Sequence, residues 1–135
     1  MLKMLPLRYP RLWLALGWAA VAFAVIVCLL PVSELPPAGL SDKTEHFLAY
    51  LLLSTWFAGI YSRSHYWIIA VGLGVLGVLI EFAQGAMQLG RQADAIDVVA
   101  NSTGIVAGLA LCWFGLGGWV QWVEALVTKA VVRKS

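Results

Sequence analysis

The sequence predicts an all-α integral membrane protein, a four-transmembrane-helix bundle with a C-terminal amphipathic helix. Composition, the length of the apolar runs and the sidedness of the basic residues carry that prediction. Of 135 residues, 61% are hydrophobic and 12% charged, against about 25% charged in soluble domains. Mean hydropathy is +0.86. A soluble fold of this size cannot hide so much apolar surface, whereas a bilayer can. The length is that of one domain. A net charge of +2, with no basic patch interleaved with aromatics, excludes a nucleic-acid partner.

The first span is Leu12 to Leu30, ended by Pro31 and preceded by Lys3, Arg8 and Arg11. Its nineteen residues exceed a signal-peptide core, and no small-x-small cleavage site follows, so the helix is read as retained. A Pro-rich loop, Pro31 to Ser41, holds Glu34. The second span covers about 42–61, the third about 66–86 and the fourth about 94–116, with a short turn from Gly85 to Arg91. Each is near the roughly 20 residues needed to cross about 30 Å of hydrocarbon. Helices satisfy every backbone group within the segment, which an open strand in lipid does not.

Residues 119–135 form a tail. Trp119, Trp122, Val123, Leu126, Val127, Ala130 and Val131 recur at helical spacing, while Gln121, Glu124, Thr128 and Lys129 take the other side. That is the pattern of a helix lying at a membrane surface; an overhanging end of the fourth span, packed on a neighbour, is the alternative. Basic residues set the orientation. Lys3, Arg8, Arg11, Arg63, Lys129, Arg133 and Lys134 share one side, seven against Lys43 and Arg91 on the other. Both termini are therefore expected in the cytoplasm, in a multi-pass protein of the cytoplasmic (inner) membrane. Cys28 and Cys112 fall in opposite leaflets, too far apart for a disulfide.

The polar residues gather on the other side. The second span opens with Asp42, Lys43, Glu45 and His46; the third closes with Glu81 and Gln84, with Gln88 one turn on. Arg91 lies in the turn, and the fourth span opens with Asp94, Asp97 and Asn101. Spacings of three and four give each helix one polar edge. Gly104 and Gly108 extend the edge of the fourth span and permit close helix approach. A charge at a helix centre in lipid costs about 2.5–3.5 kcal/mol, so Glu81 and Asp97, the deepest, are expected to face inward and pair. Asn101 alone reads as a helix–helix hydrogen bond, and His65 as a solvated turn residue.

Three motifs in order resemble those of VanZ-like membrane proteins. Asp42-Lys43-Thr44-Glu45-His46-Phe47 with Ala49-Tyr50 resembles the first, Ile80-Glu81 with Gln84 the second, and Arg91, Asp94, Asp97, Asn101 and Gly104 the third. The match covers roughly residues 40–108. The resemblance implies a VanZ-like membrane domain over 1–118 and a cell-envelope role in a family whose founding member gives low-level teicoplanin resistance. It brings no established reaction or cofactor.

The leading expectation is a site that binds or remodels the headgroup of an envelope lipid or lipid-linked glycan. Lys43 and Arg91 would contact phosphate; Glu81, Gln84, Asp97 and Asn101 would bond hydroxyls and amides, with His46 and Asp94 beside them. One alternative is a membrane-embedded hydrolase or transferase with His46 and Glu81 or Asp97 as acid and base. Another is a structural ion-paired bundle. No cofactor is indicated, although His46, Glu81, Asp94 and Asp97 could hold a divalent ion. A homo-oligomer or a membrane-protein partner is compatible with the sequence. Transport fits least, since polarity at one end offers no route through the other.

Overall fold

The computed structural model describes residues 3–31, 39–87 and 94–133. Arg91, Gln88, Glu34 and most of the two connections that carry them lie outside the described residues. Five α-helices follow one another: α1 Pro10–Leu29, α2 Asp42–Ile60, α3 Tyr66–Met87, α4 Ala95–Leu111 and α5 Trp119–Val132. A 3-10 turn, Arg63–His65, leads into α3, and a π-helical turn, Cys112–Leu116, extends α4. The all-helical expectation holds among the described residues, whose one isolated β-bridge joins Met4 to Tyr61.

Three helices are long and apolar enough to cross a membrane: Pro10–Leu29, Arg63–Met87 and Ala95–Leu116. α2 is the exception among the four expected spans. It has 19 residues, but its first turn carries Asp42, Lys43 and Glu45, and those charges lower its hydropathy.

Local signals explain the boundaries. Pro10 occupies the first turn of α1, where its missing N–H costs nothing. Ser41 caps α2 by accepting from Thr44 N–H, and Asp94 caps α4 by accepting from Ile96 N–H, each satisfying an otherwise orphaned donor. Gly118, at φ 78°, takes the left-handed conformation that breaks the chain between the π turn and α5.

Long-range contacts fix the helix directions. Along α2 and α4, His46 meets Asn101, Phe47 meets Gly104, Leu51 and Ser54 meet Gly108, and Thr55 meets Cys112. The two helices therefore run parallel. They approach closely because Gly104 packs against the Phe47 carbonyl and Gly108 against the Leu51 carbonyl. α3 runs the opposite way: Tyr66 at its start bonds Ala58 O, and Glu81 near its end accepts from Asp94 N–H. α1 is likewise antiparallel to α2, with Gly17 against the Trp56 ring and Cys28 O accepting from Gln84.

The core below the polar end is apolar and aromatic, with Tyr50, Leu53, Phe57, Ile60, Leu73 and Ile105 buried. Trp13, Trp56 and Trp119 form a cluster with centroids 5.3–5.6 Å apart at the end that carries the termini. There Glu124 of α5 accepts from the N–H groups of Arg8 and Tyr9 at 2.7 and 2.9 Å and from the Trp13 indole at 2.9 Å. Desolvation opposes the charge on Glu124. The hydrogen bonds from Arg8, Tyr9 and Trp13, with the Arg8 charge, outweigh it and hold the carboxyl below its usual range.

Two expectations for this end change. The polar side of α5 turns inward: Gln121 donates to Pro6 O, and Thr128 accepts from Arg8, while Leu126, Val127 and Val131 are exposed. His65 is half-buried, with Nδ1 bonded to Ser62 and Ser64 and Nε2 accepting from Lys3 N–H.

Candidate functional site

Six of the expected residues, Lys43, His46, Glu81, Asp94, Asp97 and Asn101, come together where α2 and α4 begin and α3 ends. Asp42, His46 and Tyr50 follow at steps of four on α2, as do Asp97, Asn101 and Ile105 on α4, so each set shares a face. Both helices run in the same direction, and those faces meet. His46, Glu81, Gln84, Asp97 and Asn101 are all at least 95% buried, an unusual density of polar groups for an interior otherwise filled with Leu, Ile and aromatics.

At the rim, Lys43 Nζ bridges Asp94 Oδ2 at 2.9 Å and Asp97 Oδ1 at 3.3 Å. The ammonium and Asp94 are half-exposed, whereas only 5% of the Asp97 side chain is accessible. Asp94 ties the third helix in as well, through its N–H to Glu81 Oε2 at 3.1 Å. Inside the rim, His46 Nδ1 lies 3.0 Å from Asn101 Oδ1. In this amide orientation Nδ1–H donates, so that in a neutral ring the lone pair is on Nε2. That nitrogen stands 3.9 Å from Asp42 Oδ2.

Four buried polar atoms here have no hydrogen-bond partner among the described residues: His46 Nε2, Glu81 Oε1, Asn101 Nδ2 and Tyr50 Oη. Each such group carries a desolvation cost of about 1–3 kcal/mol. The Asn101 amide and the Tyr50 hydroxyl converge over Gly77, where an added Cβ would lie 3.0 and 3.2 Å from them. Tyr50 was part of a motif without being assigned to the site. Its step of four from His46 was the signal.

Gln84 takes another role than expected. Its amide donates to Cys28 O at 2.8 Å, fastening α3 to the end of α1. Of the four residues that could hold a divalent ion, Asp94 and Glu81 stand outside the tightest group: Asp94 pairs with Lys43 at the rim, and Glu81 accepts from the Asp94 N–H. Among the described residues, those whose ligand atoms lie within 4.8 Å of one another are Asp42, His46 and Asp97.

Beside the polar cluster, a groove of about 280 Å³ runs between α1 and α2. Its walls are mostly apolar, with Phe23 and Val27 from one helix and Leu52 and Leu53 from the other, and Glu45 and His46 stand among them.

Fold and site together define a helical membrane protein with a buried acidic and amide cluster at the helix ends opposite its termini. The chain matches no protein-family model, no curated protein and no solved structure.

Proposed function

We propose that this chain is a VanZ-like integral membrane protein whose polar site binds the headgroup of an envelope lipid or lipid-linked glycan. The observation that carries the reading is the set of unspent buried atoms on His46, Tyr50, Glu81 and Asn101 next to an apolar groove with His46 in its wall. An amphiphile matches both parts. Hydroxyl and amide groups of a head supply the missing partners, and a hydrocarbon chain fills the groove.

In this reading the bilayer is crossed four times. α2 lies parallel to α4 from His46–Asn101 to Thr55–Cys112, so a membrane that α4 spans is spanned by α2 too. Its 19 residues reach about 28 Å at 1.5 Å per residue, with Asp42, Lys43 and Glu45 at headgroup level. Lys3, Arg8, Arg11, Arg63, Lys129 and Arg133 at the opposite end favour cytoplasmic termini and an extracytoplasmic site in the inner membrane. α5 presents Leu126, Val127 and Val131 outward, as a helix resting in the interface does. A link to teicoplanin-type resistance would follow from the family resemblance.

Native mass spectrometry tests the binding. The purified chain is titrated with a polyprenyl-diphosphate-linked disaccharide and, as a control, with phosphatidylcholine. Saturable binding of the first, weakened in Glu81→Gln and Asn101→Leu, is expected. Equal binding of both lipids, or binding unchanged in both variants, would overturn the proposal.

A further inference from the structure

Within the same helix ends, Asp42, His46 and Asp97 make a second kind of site. We infer that they bind one divalent transition-metal ion, of the Mn²⁺ or Zn²⁺ class, through two carboxylates and the imidazole Nε2.

The spacing of the ligand atoms and the unpartnered Nε2 of His46 support this. The three ligand atoms lie within 4.8 Å of one another. At metal–ligand distances of about 2.0–2.2 Å, two ligand atoms on one ion can be at most about 4.4 Å apart, and His46 Nε2 and Asp42 Oδ2 stand at 3.9 Å. Asp42, exposed on the first turn of α2, already has a carboxylate oxygen within that set.

His46 is 3% exposed, and Nε2 has no hydrogen-bond partner among the described residues. A buried ring nitrogen beside carboxylates is costly unless a proton or a cation bridges them. The other ring nitrogen is already held by Asn101 Oδ1 at 3.0 Å. Metal-bound histidines use that arrangement to fix the tautomer and aim the ligating nitrogen. One imidazole with carboxylates suits Mn²⁺ or Zn²⁺ better than Ca²⁺, which takes oxygen ligands throughout.

Among the described residues, Lys43 is the competing cation. Its ammonium sits 3.3 Å from Asp97 Oδ1 and 2.9 Å from Asp94 Oδ2. An arriving metal ion would push it toward Asp94. Removing the ammonium therefore favours the metal.

The full chain, purified in detergent, stripped with chelator and free of added lipid, is titrated with MnCl₂ and followed by electron paramagnetic resonance. Omitting lipid keeps a failure here separate from a failure of headgroup binding. One ion per chain is expected, with electron-spin-echo modulation from a coupled ¹⁴N. His46→Gln should abolish the modulation, and both His46→Gln and Asp97→Asn should weaken binding by at least about tenfold. Asp42→Asn, on the exposed turn, should also weaken it, which keeps the test decisive if the buried variants fail to fold. Lys43→Gln should tighten binding, and His65→Gln should change nothing. No saturable Mn²⁺ binding, ¹⁴N modulation that survives His46→Gln, or affinity unchanged in Asp42→Asn would overturn the inference.

Discussion

Replacing Gly104 by alanine should loosen the helix pair on which the site is built. The added methyl would meet the Phe47 carbonyl oxygen well inside contact distance, with Leu51 N at 3.1 Å and Phe47 C at 3.2 Å. All three are backbone atoms of α2, so no rotamer change relieves the clash, and α2 and α4 must move apart. Overpacking of this kind costs about 1–3 kcal/mol, with each 1.4 kcal/mol worth about tenfold in an equilibrium constant. The strain falls one turn from Asn101 and next to His46, so their 3.0 Å bond should weaken as well. Gly72 and Gly74 serve as controls, because a Cβ at either meets nothing within 4 Å. Unfolding in detergent, titrated with SDS and followed by far-ultraviolet circular dichroism, measures the difference. Gly104→Ala should unfold at lower SDS, with Gly72→Ala close to wild type. If the two variants behaved alike, or Gly104→Ala matched wild type, the close α2–α4 approach would be wrong.

Two further outcomes are expected. Asn101→Ala removes the acceptor of the buried His46 Nδ1–H and should cost about 1–3 kcal/mol in the same assay, while Ser102→Ala, on the exposed side of α4, should be near neutral. The Glu124 contact should be acid-labile. Its carboxyl titrates below its ordinary value of 4.5 in the folded chain, so the stabilisation is complete above that value and is lost as pH falls through the lower folded one. Melting curves between neutral pH and pH 3 should show this loss in the wild type and a flatter profile in Glu124→Gln.

Periodicity made much of the fold legible, and the rest depended on contacts that periodicity does not encode. Spacings of three and four placed Asp42 and His46 on one face, Asp97 and Asn101 on another, and Gly104 and Gly108 along a close-packing edge. Those rules name a face without naming the neighbour that covers it. Hence Gln84 was expected in the site, although its amide reaches Cys28 O, 56 positions away. Asp94 and Glu81 were read as residues that could ligate an ion, although one is a helix cap paired with Lys43 and the other holds the Asp94 N–H. The same limit hid the inward turn of Glu124, whose partners Arg8, Tyr9 and Trp13 lie more than a hundred positions earlier. α2 shows the converse. Its charged first turn lowers its hydropathy, while its parallel course beside α4 appears only in three dimensions.

The two histidines, His46 and His65, permit a direct test of the site. ¹⁵N spectra of the imidazole nitrogens are recorded before and after adding the polyprenyl-diphosphate-linked disaccharide to metal-free protein. If an amphiphile's head enters between the three helix ends, His46 Nε2 gains a donor and its resonance shifts, while both His65 nitrogens keep theirs. An unmoved His46, or equal shifts at both residues, would contradict headgroup recognition at this end of the bundle.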